Sequence, residues 1–313
     1  MTRALIFPGQ GSQAVGMGKE LSLAFTTARD VFAEIDEALR QNLSRLMFEG
    51  PESDLTLTEN AQPALMAVSL AVARVLEKDG GLQWKRHVAF VAGHSLGEYS
   101  ALAAAHALEL ADASRLLKRR GLAMQRAVPV GMGAMAALLG LEIDAAREVA
   151  QAAAQGEVCD AANDNGPGQV VVSGDKSAVE RAVAIAGERG ARRAIMLPVS
   201  APFHCALMKP AADEMTEALA GVMLREPIVP LIANVSARPV QDPEAIKALL
   251  VEQVTGLVRW RECVLALKEA GVDALAEIGA GRVLSGLSKR IDRELATTAV
   301  GTPAEVEAFL KTI

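Results

Sequence analysis

The chain has 313 residues, a net charge of −6 and 51% hydrophobic residues, so it can form one large domain or two unequal domains around a sizeable core. The negative charge argues against nucleic acid as a partner. We expect neither a membrane span nor a signal peptide, because no apolar run is long enough for the first and the N-terminal run is too short for the second. The three cysteines form no zinc or redox pattern, which is typical of a reduced cytoplasmic protein.

The first predicted element is a short buried strand at residues 4–7, followed by the glycine-rich turn 8–13 (PGQGSQ). A loop at the carboxyl end of a first parallel strand lies at the edge of the sheet where α/β proteins build their sites. The turn lacks the third glycine of a dinucleotide fingerprint and the lysine of a P-loop. We therefore expect it to donate a backbone N–H toward a site rather than to hold a phosphate.

The segment 93–99 (GHSLGEY) lies between an apolar run at 88–92 and an Ala- and Leu-rich stretch at 96–107. This pattern predicts a strand, a sharp turn and a helix, the Gly-x-Ser-x-Gly elbow of serine enzymes. Its two glycines let the strand and the helix approach closely, and the turn raises the Ser95 hydroxyl above the sheet. The N–H of Leu96 then lies at a helix N-terminus, where it can stabilise an oxyanion. An ordinary glycine-rich turn is the alternative.

Two further helices are predicted around the elbow, at residues 58–76 and 113–127. The first is strongly apolar and is expected in the core. The second follows the elbow helix after a short break, and helices joined by a short loop pack antiparallel. A reflection about residue 109 places Arg120 level with Glu98, so we expect Arg120 within reach of the serine. A solvated helix charge is the alternative for Arg120.

Residues 129–198 have a separate pattern of elements. Strands are predicted at 134–139, 158–162, 169–173 and 193–197, and helices at 142–155 and 176–189. The order β-α-β-β-α-β is that of a ferredoxin-like domain, so we predict a small inserted domain over these residues. Asn165 lies in the turn-rich loop between the two central strands, where it either caps a turn or faces a cleft.

The remaining chain returns to alternating helices and short strands. Helices are predicted at 205–219, 244–254, 257–270, 284–290 and from 304, and strands at 230–234 and 274–278. We therefore predict an α/β fold with a hydrolase-like parallel-sheet core. Its large catalytic domain comprises residues 1–128 and 199–313, and the active site lies in the cleft beside the inserted domain.

An elbow serine needs a base, and the chain has four histidines. His94 adjoins the serine, but its side chain should point away along the turn. His87 is expected at the surface where a strand opens, and His106 to pack or cap. His204 lies at a loop-to-helix junction, and the order of serine first and histidine late matches elbow hydrolases. We favour His204 as the base, with a capping role as the alternative. No acidic residue is well placed to complete a triad, and a backbone carbonyl can orient the ring equally well.

Several motifs of this chain occur together in one known family. They are PGQGSQ at 8–13, GHSLGEYSA at 93–101, RG at 120–121, NDNGPGQ at 163–169 and SAPFH at 200–204. As a set they resemble the malonyl-CoA:acyl carrier protein transacylases of type II fatty-acid synthesis, over the whole chain and in order. One departure is Ala280, where relatives often carry proline; it touches no catalytic role.

The resemblance implies a reaction and its catalytic groups. Ser95 would take the malonyl group of malonyl-CoA as an ester and pass it to the phosphopantetheine thiol of acyl carrier protein, with no metal or bound cofactor. His204 would be the base, oriented by the main-chain carbonyl of Gln253. The N–H groups of Gln10 and Leu96 would form the oxyanion hole.

The resemblance also implies a substrate pocket in which Arg120 holds the free malonyl carboxylate and Asn165 lies near the cleft. A guanidinium suits this role because its planar fork binds a carboxylate bidentately. Phe203, next to the base, is expected to wall the space beside malonyl C2 and to disfavour a methyl group there. The alternatives are an acyltransferase or thioesterase with another acyl preference, and a non-catalytic carrier-docking module. The presence of serine, histidine and arginine together argues against the module.

The expected carrier protein is acidic, as this chain is, so docking needs a local basic patch. We expect a cytoplasmic monomer that binds the carrier near the cleft mouth. The candidate basic residues are Lys118 and Arg119, Arg192 and Arg193, and Arg282, Lys289 and Arg290.

Overall fold

The computed structural model describes residues 2–313. Its strands are β1 (Arg3–Phe7), β2 (Phe90–Gly93), β3 (Gly133–Leu139), β4 (Cys159–Asp164), β5 (Gln169–Asp175), β6 (Arg193–Met196), β7 (Leu231–Ile232), β8 (Pro239–Val240), β9 (Ala274–Ile278) and β10 (Ala296–Val300).

The helices lie between these strands, and one 3-10 turn, Ala206–Met208, precedes the eleventh. They are α1 (Lys19–Ala24), α2 (Thr26–Leu39), α3 (Leu43–Glu49), α4 (Glu52–Leu55), α5 (Thr58–Lys78), α6 (Trp84–His87), α7 (Gly97–Ala104), α8 (Leu110–Ala127), α9 (Ile143–Ala154), α10 (Lys176–Glu188), α11 (Lys209–Ala220), α12 (Pro243–Thr255), α13 (Trp260–Glu269), α14 (Val283–Ile291) and α15 (Pro303–Leu310).

Among the described residues, six strands form one sheet in the order β10-β9-β1-β2-β7-β8. All neighbours pair in parallel except β7 and β8, so the predicted α/β class with a parallel-sheet core is confirmed. Strands β1 and β2 are adjacent, with Phe7 opposite Gly93. The glycine-rich turn after β1 and the elbow after β2 therefore leave the same edge of the sheet, which places them side by side.

Helices cover both faces of this sheet, as the burial of β1 requires. Its side chains alternate between two apolar cores. Leu5 and Phe7 belong to the core beneath α5, α7 and α8, whereas Ala4 and Ile6 pack on the other face with Trp260. A strand that is buried on both faces reads as a continuous apolar run, which is why β1 is recognisable in the sequence.

A second sheet lies within residues 133–196, where four strands pair antiparallel in the order β4-β5-β3-β6. Its elements follow as β3-α9-β4-β5-α10-β6, and both helices contribute to its own apolar core. Strand β4 also bonds to the segment between α12 and α13, because the N–H of Asp164 donates to the carbonyl of Val258 over 2.9 Å. This bond fixes the following loop, which carries Asn165.

Some elements were not predicted from the pattern. Strand β10 lies at the sheet edge and is partly exposed, so its sequence lacks the apolar run of a buried strand. The prediction that His87 opens a strand is wrong: it ends the short helix α6, where its Nδ1 accepts the N–H of Gln83 over 3.1 Å. No helix within residues 2–313 has the length and apolar character of a membrane span.

Candidate active site

The turn after β2 holds Ser95 in a strained conformation. Its φ is +53°, in the left-handed region, which costs a non-glycine residue about 1–2 kcal/mol. No other residue type fits at the glycines two positions before and after Ser95. A Cβ at Gly93 would overlap the backbone of Gly97, and a Cβ at Gly97 would overlap the carbonyl of Phe7. The sequence pattern thus yields the sharp turn expected of an elbow, with the serine at its tip.

Ser95 and His204 form a direct hydrogen-bonded pair. Ser95 Oγ lies 2.8 Å from His204 Nε2, and His204 Nδ1 lies 2.8 Å from the main-chain oxygen of Gln253. Because a carbonyl oxygen only accepts, Nδ1 carries the ring proton and Nε2 keeps its lone pair toward the serine. The three residues are brought together from the elbow, the loop before α11 and helix α12, as expected.

Arg120 reaches the same serine from α8. Its Nη2 donates to Ser95 Oγ over 3.1 Å and to Gln253 Oε1 over 2.9 Å, and its Nη1 donates to Gln62 Oε1 over 2.8 Å. The residue is 1% exposed, and all three acceptors are uncharged. Its Nε–H is buried without a hydrogen-bond partner in the described part of the chain. The site therefore contains a buried cation with free capacity for an anion.

A set of buried polar side chains holds the elbow backbone. Asn234 Oδ1 accepts the N–H of Ser95 over 2.8 Å, and its Nδ2 donates to the carbonyl of Gly93 over 2.7 Å. Glu98 Oε1 in turn accepts the N–H of Asn234 over 2.6 Å. Gln253 Nε2 donates to the Ser95 carbonyl over 3.0 Å. These bonds satisfy both backbone groups of the strained residue, so the turn keeps one conformation.

Two backbone N–H groups near the serine are available to a ligand. Neither Gln10 N–H nor Leu96 N–H donates a hydrogen bond to another residue between positions 2 and 313. Both residues lie in the wall of the cavity that contains Ser95. Leu96 is also the residue before the first turn of α7, where unpaired N–H groups carry partial positive charge.

Ser95 opens into a cavity of about 810 Å³ that is lined by strands of the second sheet and by the loops and helices that surround the first sheet. Asn165 and Phe203 lie in its wall. Asn165 Oδ1 accepts a hydrogen bond from His94 Nε2 over 2.8 Å, which joins the loop after β4 to the elbow. The expectation that the His94 side chain points away along the turn is therefore wrong: its ring bonds to a residue of the cavity wall, and the His94 residue itself lines the cavity.

Burial changes the acidity of the ionisable groups around the serine. Burial, and after it the nearby Arg120 charge, lower the pKa of His204 to about 3. The ring is therefore neutral at neutral pH and can accept a proton from the serine. Burial raises the pKa of Glu98 to about 8, while its N–H donors and the Arg120 charge favour the ionised form.

The other histidines have structural partners. His106 Nε2 pairs with Glu77 Oε1 over 2.8 Å, and its ring meets Trp84 edge-on at 6.1 Å, in agreement with a packing role. No group of three or more His, Cys, Asp or Glu side chains in the described chain is arranged to bind a metal ion.

Three side chains of the site were not identified from the sequence: Gln62, Asn234 and the amide group of Gln253. Glu98 was recognised only as part of a motif. A weak signal did exist, because Glu98 is the one charged residue in the otherwise apolar helix α7, and Gln62 lies in the long apolar helix α5. A polar residue in a fully buried helix must find a partner, but the sequence does not say which one.

Comparisons with known proteins identify the family of this chain. The family described as "Acyl transferase domain" matches residues 4–300. The malonyl CoA-acyl carrier protein transacylase of Bacillus subtilis (strain 168) is 46% identical over 311 residues, which cover 99% of this chain and 96% of the relative.

Solved structures extend the likeness to the fold. The acyl-carrier-protein-S-malonyltransferase of Bartonella henselae has a TM-score of 0.97 at 56% identity, over 100% of this chain and 99% of that one. A type II PKS acyl-carrier protein in complex with its malonyl-transacylase gives a TM-score of 0.96 at 44% identity, over 100% of both chains. These matches span nearly the whole length of this chain and of each matched protein. The chain is therefore an acyltransferase that belongs to the acyl transferase family, among the malonyl CoA-acyl carrier protein transacylases.

Proposed function

We propose that this enzyme transfers the malonyl group of malonyl-CoA to the phosphopantetheine thiol of acyl carrier protein, through a malonyl-Ser95 intermediate. The product supplies extender units for fatty-acid synthesis. One observation carries the proposal: the nucleophile Ser95 Oγ is in contact with both the base His204 and the buried cation Arg120. A neutral acyl chain has no use for a buried cation, whereas malonate has a second carboxylate that needs one.

The first half-reaction acylates the serine. Ser95 Oγ attacks the thioester carbonyl as its proton passes to His204 Nε2, and the carbonyl electrons move onto oxygen. The N–H groups of Gln10 and Leu96 stabilise that oxyanion. As the carbonyl re-forms, the C–S bond breaks and His204 returns the proton to the sulfur, so that CoA leaves as a thiol.

The second half-reaction reverses these roles. The carrier thiol gives its proton to His204 and attacks the malonyl ester. The C–O bond to Ser95 breaks, and the serine oxygen takes the proton back. All transfers are made by groups of the chain and its substrates, so the proposed ping-pong reaction requires no bound metal or cofactor.

The carboxylate of the bound malonyl group is proposed to lie against Arg120. The Nε–H has no partner among residues 2–313, and Nη2 bonds to the serine hydroxyl, which is weaker than a bond to a carboxylate. An incoming carboxylate can therefore take two N–H donors of the guanidinium. It also neutralises the charge that helps to depress the pKa of His204, which makes the imidazole a stronger base while malonyl is in place.

Replacing Arg120 with alanine is expected to weaken malonyl transfer by about 2–4 kcal/mol of transition-state stabilisation, because a buried carboxylate loses its partner. Acetyl transfer should fall much less, or rise. Steady-state kcat/KM values for malonyl-CoA and acetyl-CoA measure the difference. Arg120→Lys is the control. It keeps the charge but lacks the planar guanidinium, so its kcat/KM for malonyl-CoA should lie between that of the unmodified enzyme and that of Arg120→Ala. Equal losses for both acyl groups would remove Arg120 from the carboxylate pocket.

The two sheets have separate roles in this proposal. Residues 1–128 and 199–313 would form the catalytic domain, and residues 129–198 a ferredoxin-like small domain that closes one side of the cleft. The strand order β4-β5-β3-β6 and the separate core of that region support the division. Asn165 and Phe203 would then bound the acyl pocket, with Phe203 beside malonyl C2.

The carrier is proposed to dock on basic side chains that have no acidic partner. Three candidates are already paired: Lys118 with Glu59, Arg119 with Glu214 and Arg282 with Glu305. The others are exposed and form no ion pair within the part of the chain that the structure covers: Arg192, Arg193, Lys289 and Arg290.

These unpaired charges belong to segments that pack near the loop that carries Asn165. The side chain of Ile291, next to Arg290, is adjacent to Gly166 of that loop. On the other side of the loop, Gly168 is adjacent to Gly140, beside which the Arg192 side chain lies. Both pairs of charges therefore belong to segments that flank the Asn165 loop, which borders the cavity that a phosphopantetheine arm must enter.

Reversing the charges at Lys289 and Arg290 to Glu is expected to raise the KM for carrier protein roughly tenfold at low salt, and less at higher salt, because rim charges act on association and are screened. Acylation by malonyl-CoA should be nearly unchanged. The two half-reactions are measured separately over a salt series. The adjacent exposed pair Lys85 and Arg86, in α6 at the opposite edge of the sheet, provides a matched charge-reversal control. An unaltered carrier KM would mean that docking relies on apolar contacts.

The direct test of the proposed function is mass spectrometry of the full chain after incubation with malonyl-CoA. A malonyl adduct on the peptide that contains Ser95, lost on addition of phosphopantetheinylated carrier, is the expected result. Carriers of fatty-acid and polyketide synthesis are compared in parallel, because the structural likeness includes a transacylase bound to a type II PKS carrier. Size-exclusion chromatography with light scattering tests the proposed monomer.

A further inference from the structure

The side-chain amide of Gln253 connects the nucleophile turn to the carboxylate pocket. It is fully buried. Its Nε2 donates to the carbonyl of Ser95 over 3.0 Å, and its Oε1 accepts from Arg120 Nη2, which also contacts the serine hydroxyl. This amide role is separate from that of the Gln253 main-chain oxygen, which holds the ring of His204.

Only one orientation of this amide satisfies its neighbours. On its nitrogen side lie three acceptors: Ser95 O, Glu98 Oε2 and, at 3.3 Å, Asn234 Oδ1. On its oxygen side lies the guanidinium, which only donates. If the amide turned over, oxygen would face three oxygens and nitrogen would face Arg120.

Among the three acceptors that face Gln253 Nε2, the carboxylate of Glu98 is the strongest. In its ionised form, which these N–H donors and the Arg120 charge favour, Glu98 accepts N–H bonds at both carboxyl oxygens, at Oε1 from the backbone of Asn234 and at Oε2 from Gln253 Nε2. Glu98 is 1% exposed, does not line the cavity, and is not a hydrogen-bond partner of the serine hydroxyl, whose partners are His204 and Arg120. A primary amide at position 98 could accept at only one of these places and would present a donor at the other.

We propose that Glu98 is a positioning residue for acyl-group selection: it fixes the orientation of the Gln253 amide, and that amide aims Arg120 at the malonyl carboxylate beside Ser95. The inference deepens the proposed function and rests on it. It assigns to Glu98 an effect on the choice between acyl groups that a side chain serving only to stabilise the fold would not have.

The test variant is Glu98→Gln, which keeps the shape of the side chain. It is assayed above pH 8, where the wild-type Glu98 is ionised although burial raises its pKa to about 8. Its amide must place a donor against either the Asn234 N–H or Gln253 Nε2. If the Gln253 amide flips in response, its nitrogen faces the guanidinium. Arg120 then loses the acceptor that holds it in position toward the carboxylate. General damage to the elbow slows acylation by every substrate, whereas a misdirected Arg120 slows malonyl transfer selectively. The informative quantity is therefore the ratio of kcat/KM for Ser95 acylation by malonyl-CoA to that by acetyl-CoA.

A double-mutant cycle on this ratio tests the route from Glu98 through Gln253. Glu98→Gln and Gln253→Met are each expected to lower the ratio about tenfold or more, the effect of one lost charge-assisted hydrogen bond. The double variant should be no lower than Gln253→Met alone, because Glu98 acts through the amide that is already gone. Ser100→Ala, at a buried α7 hydroxyl with no hydrogen-bond partner in residues 2–313, is the matched control and should keep the ratio.

An unchanged ratio in Glu98→Gln, or a further loss in the double variant equal to that in the wild-type background, would overturn the inference. If Glu98→Gln does not fold, Glu98→Met, which presents no donor to Gln253, takes its place in the cycle. Failure of both to fold would assign Glu98 to stability alone and also overturn it. A wild-type chain that malonyl-CoA does not acylate would instead overturn the proposed function, and this inference with it.

Discussion

Ser95→Ala is expected to abolish malonyl transfer, because no covalent intermediate can form without the hydroxyl. The effect should be the largest of any single substitution in this chain. Mass spectrometry should find no malonyl adduct, and the transfer rate to carrier protein should fall to the background level. The backbone bonds from Asn234 and Gln253 to residue 95 do not involve the hydroxyl, so the variant should remain folded.

The control for this variant is Ser114→Ala, which removes a buried hydroxyl that bonds only to the Leu110 carbonyl within α8. It should leave an adduct on Ser95. Thermal unfolding of both variants verifies that they are folded. Transfer by Ser95→Ala at a rate comparable to that of the unmodified enzyme would disprove the nucleophile assignment.

His204→Ala is expected to reduce acylation by several orders of magnitude, roughly 10³-fold or more, because the serine loses the base that takes its proton. Rapid-quench measurement of malonyl-Ser95 formation gives the rate. Combining it with Ser95→Ala should cost no more than the serine substitution alone, since the two groups act as a unit. His106→Ala is the matched control, because that histidine pairs with Glu77 outside the cavity.

The pH dependence of acylation checks the same assignment. An ordinary histidine has a pKa of 6.5, so a normal base would be lost by protonation as the pH falls through that value. In this fold, burial and the Arg120 charge lower the pKa of His204 to about 3. The imidazole nitrogen therefore stays unprotonated, and able to accept a proton, at lower pH. The rate should therefore hold from about pH 7 to about pH 5. A fall centred near 6.5 in the free enzyme, with Ser95 and His204 intact, would contradict the buried environment.

The sequence was most informative where local chemistry decides local structure. Gly93 and Gly97 indicate that the strand and the helix of the elbow approach closely, and in the structure their backbones leave no room for a Cβ at either position. The buried strand β1 and the long helix α5 follow from runs of apolar residues. Strand β10 could not be predicted in this way, since an edge strand is half-exposed and its pairing with β9 lies in another part of the chain.

The residues of the candidate site also differ in how far local sequence predicts them. Ser95 is recognisable from five consecutive residues, because the turn itself creates its geometry. His204 and Arg120 were reached by chain order and helix reflection, with a family resemblance to support both. The bond between His94 and Asn165 was missed, since it joins the elbow to a loop of the other sheet.

Periodicity and a motif of neighbouring residues were sufficient to predict the α/β class and to indicate Ser95 as the candidate nucleophile of an acyl transfer. Only the tertiary structure decided how the supporting groups are arranged. Glu98 lies more than a hundred positions from Asn234 and Gln253, which are themselves 19 positions apart, and each is an ordinary polar residue in its local sequence. They become a functional unit because folding buries them together, and buried polar groups must then satisfy one another.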